Sequence, residues 1–426
     1  MKKEHSLKRE LGLFEVTLCG IGIILGAGIY ALVGKAAALG GNGIWMSFLI
    51  AATIAIFTGL SYAELASLFP KAGAEYVYTK KAFGRRIAFI VGWLIIAGGT
   101  IAAATVALGF ASYFSALFST PIIPTAMILI IFLSFIVFKG IKHSVWLAII
   151  FTLIEIAGLV LIIFVGIPYF GSVNYFEIPS FSGVFAAAAL IFFAFIGFEE
   201  IVRLSEETKK PQKTIPLSLI IAITVTTIIY ILVAISSVSV LNWEVLGASE
   251  APLAMVVDSA LGGEAFLVMS VIALFATANT VLLMLLATSR ITYGMAKSNS
   301  LPSLLASVHK KTRTPWAAIL LLMGFSMLFI LIGDIETVAN LANFTVFLTF
   351  VIINFSLIWL RYRQPTLTRS FKVPLNIGKF PILAFLGALF SLVLMFNIGF
   401  DVLLYGSILT LMGLLIYEII IKSKNK

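Results

Sequence analysis

Three stretches of this chain carry residues whose types and spacing could do chemistry. The first is Cys19-Gly20-Ile21-Gly22-Ile23-Ile24-Leu25-Gly26-Ala27-Gly28-Ile29-Tyr30, with glycines at 20, 22, 26 and 28. A glycine inside a helix loses more backbone entropy than alanine and leaves the main chain thinly covered. In lipid, an amide released from a helix must find a partner in protein, water or ligand, so such a break belongs where it lines a cavity. It is a binding site built from main chain, with amides and a positive dipole end on one side and carbonyls with a negative end on the other. A zwitterion fits: an α-carboxylate on the amides of Gly26, Ala27 and Gly28, and an α-ammonium on carbonyls near Ile24. The alternative is close helix packing through small residues. The second stretch is Phe192-Phe193-Ala194-Phe195-Ile196-Gly197-Phe198-Glu199-Glu200, where an aromatic run, a glycine and two carboxylates follow one another. Carbonyls around Phe193, Ala194 and Ile196 would complete the ammonium site. The third is Glu155, about ten residues into an apolar run and so roughly 15 Å deep at 1.5 Å per residue. An ionisable group at that depth is expensive and points to function, because its charged form is the costly one.

These residues need spanning helices to hold them. The chain is 61% hydrophobic and 11% charged over 426 residues, with a mean hydropathy of +1.11. That excludes a soluble globular protein and predicts an all-α polytopic membrane protein. A span needs roughly 20 apolar residues, and twelve runs qualify: about 14 to 38, 44 to 69, 87 to 118, 121 to 138, 145 to 168, 181 to 202, 215 to 241, 265 to 296, 315 to 333, 337 to 360, 380 to 398 and 401 to 421. The first is too long for the core of a signal peptide and is expected to stay. The net charge of +10 is topology rather than a nucleic-acid surface. Basic residues cluster before segment 1, after every second segment and at the C-terminus; of 29, only Lys35 falls in the opposite loops, which hold Glu177, Glu244, Glu250, Asp258, Glu264, Asp334, Glu336 and Asp401. By the positive-inside rule both termini are cytoplasmic, in a multi-pass protein of the cell (plasma) membrane.

Segments 1 and 6 are five apart, so they begin on opposite faces of the membrane. Residues 10–168 and 181–362 are therefore expected to form an inverted repeat, each half opened by an interrupted helix, with 380–421 as two additional helices in a single transporter domain. Paired interruptions of this kind point to a midplane site in transporters.

The remaining polar groups have plainer readings. Adjacent Glu199 and Glu200 point about 100° apart on a helix and would not flank one bond, so no enzyme chemistry is expected. No Cys/His cluster has metal-ligand spacing and no phosphate-binding loop is present, so no cofactor is expected. Cys19 reads as a small buried hydrophobe, and His5, His143 and His309 as solvated loop residues. Arg290 is a candidate for an inner gate with Glu15, Glu64, Glu199 or Glu200, or a snorkelling anchor. Phe195 and Phe198 are candidates for a lid over substrate. Asn340, Asn343, Thr345 and Asn354 either face the pathway or bond neighbouring helices. Pro302 to Arg313 is expected to be a short helix.

The segment 1 motif Gly20 to Tyr30, together with Ser61 to Tyr78, Phe192 to Glu200 with Ser205 to Pro216, and Ser289 to Ala296 through Leu301-Pro302 and Thr314-Pro315, resembles the amino acid/polyamine/organocation (APC) superfamily of permeases. The resemblance spans most of residues 10 to 362 in order. It implies twelve transmembrane helices in the five-plus-five inverted-repeat (LeuT-like) fold with broken helices 1 and 6, and secondary transport of an amino acid by alternating access. Carried over, the substrate contacts are Ile24, Gly26, Ala27 and Gly28 with Phe193, Ala194, Phe195, Ile196 and Gly197. In many relatives the position of Glu155 resembles a lysine that stands where sodium binds in more distant transporters. This chain departs from that pattern; the depth of Glu155 makes a proton carrier the expected role, and sodium with Thr277 or Thr280, or structural hydrogen bonding, are the alternatives. The pocket holds no fixed charge for a side chain, which favours neutral or small apolar amino acids. A polyamine or organic cation permease and an antiporter are the runners-up, and a channel or receptor lies further off. The partners expected are a small amino acid and the bilayer, with no nucleic acid and no obligate protein.

Overall fold

The protein is described by a computed structural model covering residues 10–70 and 74–424, apart from the side chains of 141–149, 203, 206 and 421–424. Lys2, Lys3, His5, Lys8, Arg9, Lys71 and Lys426 of the charge map lie outside the described residues, as do the side chains of Lys142, His143, Arg203, Lys422 and Lys424. The helices, in order, are α1 (Leu13–Ile24), α2 (Gly28–Gly40), α3 (Ile44–Leu68), α4 (Ala74–Phe83), α5 (Arg85–Phe118), α6 (Ile122–Lys139), α7 (Ile141–Gly166), α8 (Phe181–Ile191) and α9 (Glu200–Arg203). Then follow α10 (Pro211–Val240), α11 (Trp243–Ala248), α12 (Pro252–Leu261), α13 (Ala265–Lys297), α14 (Trp316–Ile330), α15 (Ile335–Arg363), α16 (Ile382–Met395) and α17 (Phe400–Lys424). A two-residue hairpin, β1 (Asn376–Ile377) with β2 (Phe380–Pro381), interrupts the loop before α16.

Among the described residues, nine helical stretches are long and apolar enough to cross a membrane, the first of them Gly28–Leu68, which joins α2 and α3 through a 3₁₀ turn at Gly41–Gly43. Four shorter apolar helices, α1, α12, α14 and α16, accompany them. The chain is thus an all-α, multi-pass membrane protein. Helix is what such sequences must adopt, since only internal bonds satisfy the backbone in lipid. Starts follow local chemistry: the Asp334 carboxylate accepts from Thr337 N at 2.8 Å at the head of α15, Ser180 Oγ accepts from Gly183 N at 2.9 Å at the head of α8, and Pro211 opens α10.

The helices sort into two groups by packing. α3 lies against α10, α8 and α16, and α1 against α10; α5 lies against α13, α6 and α14. α7 touches both α10 and α13, and α15 reaches α5, α16 and α3, so these two stand between the groups.

Three expectations are corrected. Pro302 to Arg313 holds only a 3₁₀ turn at Ser303–Ala306; beyond it the chain doubles back, with His309 N donating to Thr314 O at 2.9 Å and Arg313 N to His309 O at 3.0 Å. His309 is half-buried, its ring 5.0 Å from that of Phe138 and its Nδ1 3.1 Å from Thr312 Oγ1, rather than solvated. Cys19 is exposed, because the buried face of α1 runs through Val16, Gly20 and Ile24, four residues apart, and 19 falls off it.

Candidate functional site: two helix breaks on one cavity

α1 stops at Ile24 because Leu25 leaves helical geometry (φ −67°, ψ 54°), and α2 restarts at Gly28. Between them Gly26 N turns back to Ile24 O at 2.6 Å, and Ala27 N is taken by Thr280 Oγ1 of α13 at 3.0 Å. Thr280 thus caps the new helix from across the bundle. In the second break, α8 gives way to a 3₁₀ turn at Phe192–Phe195, then to Gly197 at φ +121°, a conformation that favours glycine. Gly197 N donates to Glu199 Oε2 at 3.0 Å, so that carboxylate satisfies an amide of the break itself, just before the helix resumes at Glu200.

The breaks touch. A Cβ on Gly28 would stand 2.7 Å from Ala194 Cα and 3.1 Å from Ala194 N, which makes glycine the residue that lets the two main chains meet. One side chain ties both: Tyr230 of α10, fully buried, directs its hydroxyl to Ile24 O at 2.5 Å and Ala194 O at 3.0 Å. These are two of the carbonyls expected to face a substrate ammonium. At the end of α8, Asn343 Nδ2 of α15 donates to Ala189 O at 2.7 Å and Leu190 O at 3.1 Å.

A cavity of about 410 Å³ opens beside the breaks. Gly26, Ile196 and Gly197 line it, as do Glu155 and Arg290. Ile24, Ala27, Gly28, Phe193, Ala194 and Phe195 lie buried behind that surface. The far wall comes from α5, α13 and α15, with Leu94, Ala102, Leu283, Met284 and Val346 as its apolar part and Thr288, Thr345 and Thr349 as hydroxyls. Glu155 is 1% exposed. Its backbone carbonyl accepts from Tyr30 Oη at 2.6 Å, and its Oε1 is buried with no hydrogen-bond partner among the described residues.

Residues 11–412 match the sequence profile described as amino acid permease. The chain belongs to the amino acid permease family. Over 99% of its length the permease is 33% identical to the branched-chain amino acid permease BcaP of Bacillus subtilis, covering 95% of that protein. It is 32% identical to the methylthioribose transporter of the same organism over 87% of this chain and 85% of the other. It is 29% identical to the vacuolar cationic amino acid transporter 4 of Arabidopsis thaliana over 85% of this chain and 64% of that one. These relatives are transporters, not enzymes.

The gate candidates lie where tertiary contacts put them. Glu64 does not meet Arg290. It is fully buried, accepting from Arg361 Nε at 2.9 Å, Arg369 Nε at 3.1 Å and Val373 N at 2.7 Å, with a further contact to the Arg361 terminal nitrogen. It locks α3 to the end of α15 and the following loop. Glu15 closes the head of α1, accepting from Gly12 N at 2.9 Å. Arg290 reaches Leu286 O at 3.5 Å and shares the cavity wall with Glu199 and Glu200. Phe195 and Phe198 are fully buried: Phe195 sits edge-on to Tyr230 at 5.4 Å, and Phe198 packs on Phe350 at 5.2 Å and Tyr62 at 6.0 Å. Phe198 thus stands behind the part of the wall that Tyr62 and Phe350 form, and neither Phe195 nor Phe198 lines the cavity. Gly20 serves packing, for a Cβ there would press on Ile201, whereas Gly22 lines the cavity. Thr277 turns its hydroxyl back to Ala273 O at 2.7 Å within its own helix. Asn354 bonds Ser61 Oγ at 2.6 Å and Thr58 Oγ1 at 3.0 Å, so it joins helices. Sequence reasoning passed over Tyr230; its signal was a phenol near the middle of an apolar run, where a hydroxyl needs a partner.

Proposed function

We propose that the permease is a secondary transporter that imports a neutral amino acid across the cell membrane by alternating access, coupled to protons through Glu155. The observation that carries this reading is a buried carboxyl on the same cavity as two touching helix breaks. Where the breaks reach the cavity, at Gly26, Ile196 and Gly197, their main-chain groups take the α-carboxylate and α-ammonium, and the apolar wall of α5, α13 and α15 takes the side chain. That wall holds Leu94, Ala102, Leu283, Met284 and Val346, which suits an aliphatic substrate; the likeness to a protein named for branched-chain amino acids agrees.

The reading assigns twelve crossings, with α1–α2 together as the first and α8–α9 as the sixth, in a five-plus-five inverted repeat of 10–168 and 181–362. The pairing of α3 with α10 and of α5 with α13 supports it, since each pair joins segments five apart. With both termini on the cytoplasmic side, the end of the cavity lined by Arg290 and Glu200 lies toward the cytoplasm. A carboxyl that crosses between two access states neutral when loaded and charged when unloaded would link substrate movement to the proton gradient.

Uptake of labelled leucine and alanine into proteoliposomes tests it. Uptake is expected to rise with an inward proton gradient, and Glu155→Gln is expected to lose the driven component while still binding substrate. Uptake indifferent to the gradient in both forms would remove the coupling, currents of channel magnitude would remove the transporter reading, and preferential competition by putrescine would move the substrate to the polyamines.

A further inference from the structure

We infer that Asn279 is the positioning partner of Glu155: its side-chain amide accepts the carboxyl proton in one state and donates to the carboxylate in the other, and Thr152 is the hydroxyl against which the amide turns. The inference deepens the proton-coupled reading and rests on it.

Glu155 and Asn279 are both buried, at 1% and 2% exposure, and line the same cavity. The side chain set against the Glu155 carboxyl is that of Asn279. Asn279 Nδ2 is 3.0 Å from Thr152 Oγ1, and Thr152 stands three residues before Glu155 on the same face of α7. Two acceptors are left over in this cluster, Glu155 Oε1 and Asn279 Oδ1, each buried without a hydrogen-bond partner among the described residues. Buried polar atoms are almost always bonded, and orphans call for a reason. Here one missing donor accounts for both. A proton on Glu155 Oε1 turns that atom into a donor, and Asn279 Oδ1 is the acceptor it lacks. When the carboxyl releases the proton to cavity water, it becomes an acceptor only, and a half-turn of the amide presents Nδ2 to it while Oδ1 accepts from the Thr152 hydroxyl. The amide itself neither gains nor loses a proton; it exchanges two near-isosteric ends.

The other ionisable groups around Glu155 are accounted for. Tyr30 of α2 and Tyr230 of α10 lie within electrostatic reach of Glu155, but their hydroxyls are engaged with the backbone carbonyls of Glu155 and Ile24. Arg290, Glu75, Glu199 and Glu200 lie along the same cavity, while Asp258 of α12 and Lys139 of α6 are exposed. Asn279 is the group able to answer both protonation states.

The test is an infrared titration of the purified full chain, reading the protonated-carboxyl band that Glu155→Gln removes, alongside the pH profile of uptake. An N–H bond to a carboxylate is stronger than a neutral bond, so losing Asn279 penalises the ionised form more. In Asn279→Leu the band is expected to change frequency and its titration midpoint to rise by about one pH unit, tenfold in proton concentration. Thr152→Val, nearly isosteric, is expected to shift it the same way by less, and carries the test should Asn279→Leu fail to fold. Midpoints equal to wild type in the variants that fold would overturn the inference and leave Asn279 a structural residue. If no band that Glu155→Gln removes titrates in the wild type, the proton-coupled reading itself fails.

Discussion

Removing one hydroxyl should tell whether the two breaks work as a unit. Tyr230 is fully buried, and its hydroxyl lies 2.5 Å from Ile24 O and 3.0 Å from Ala194 O, so a single O–H bridges the carbonyl ends of both discontinuities. Tyr230→Phe keeps the ring, which packs on Phe195 at 5.4 Å and Phe48 at 5.6 Å, and deletes only the donor. A buried acceptor left unsatisfied costs about 1–3 kcal/mol. One donor shared between two carbonyls places the loss near about 2 kcal/mol, or about 30-fold in the population of the arrangement that needs it. If substrate binds to that arrangement, its Kd should rise by about the same 30-fold. The assay is equilibrium binding of the transported amino acid to purified wild type and Tyr230→Phe, with thermal unfolding as the control for global damage. Binding as tight as wild type, or tighter, would refute the reasoning. Tighter binding would mean that the hydroxyl competes with the substrate ammonium for Ile24 O and Ala194 O instead of holding them in place.

Two further substitutions separate close packing from pathway and structure from gate. Gly28→Ala puts a methyl 2.7 Å from Ala194 Cα, main chain that cannot step aside, so it should cost about 1–3 kcal/mol in thermal stability and abolish uptake; Gly22→Ala, whose Cβ would lie 3.4 Å from Thr152 Cγ2, should fold normally in the same assay. Glu64→Gln removes the carboxylate that Arg361 and Arg369 share in a fully buried site, leaving two guanidinium charges uncompensated at about 3–5 kcal/mol. Its melting temperature in detergent should fall steeply, and one equal to that of wild type would return Glu64 to the list of gate residues.

What was legible in the sequence was what the chain advertises locally. The break at Gly26 to Gly28 showed as a glycine cluster inside an apolar run, the break near Gly197 as a glycine between aromatics and carboxylates, and Glu155 as a charge too deep to be solvated. Hydropathy and charge walk along the chain one residue at a time, so they register such anomalies and miss their partners. Glu64 was misplaced for that reason. Its arginines arrive from 297 and 305 residues away, and on the charge map they were merely loop charges.

The partners follow a rule that sharpens how polar residues in apolar runs should be read. Breaking two helices inside a membrane releases main-chain groups that lipid cannot satisfy, and several of them are met by side chains from other helices. Ala27 N goes to Thr280 of α13, Ile24 O and Ala194 O to Tyr230 of α10, and Ala189 O and Leu190 O to Asn343 of α15. Asn340, Asn343, Thr345 and Asn354 therefore do not share one role merely because they share a helix. Asn343 is spent on the break, Asn354 on α3, and Thr345 alone of the four lines the cavity. A transporter built on broken helices needs such supporting side chains in proportion to its breaks, and a polar residue in the middle of a span is as well explained by a distant gap in the main chain as by the substrate that passes it.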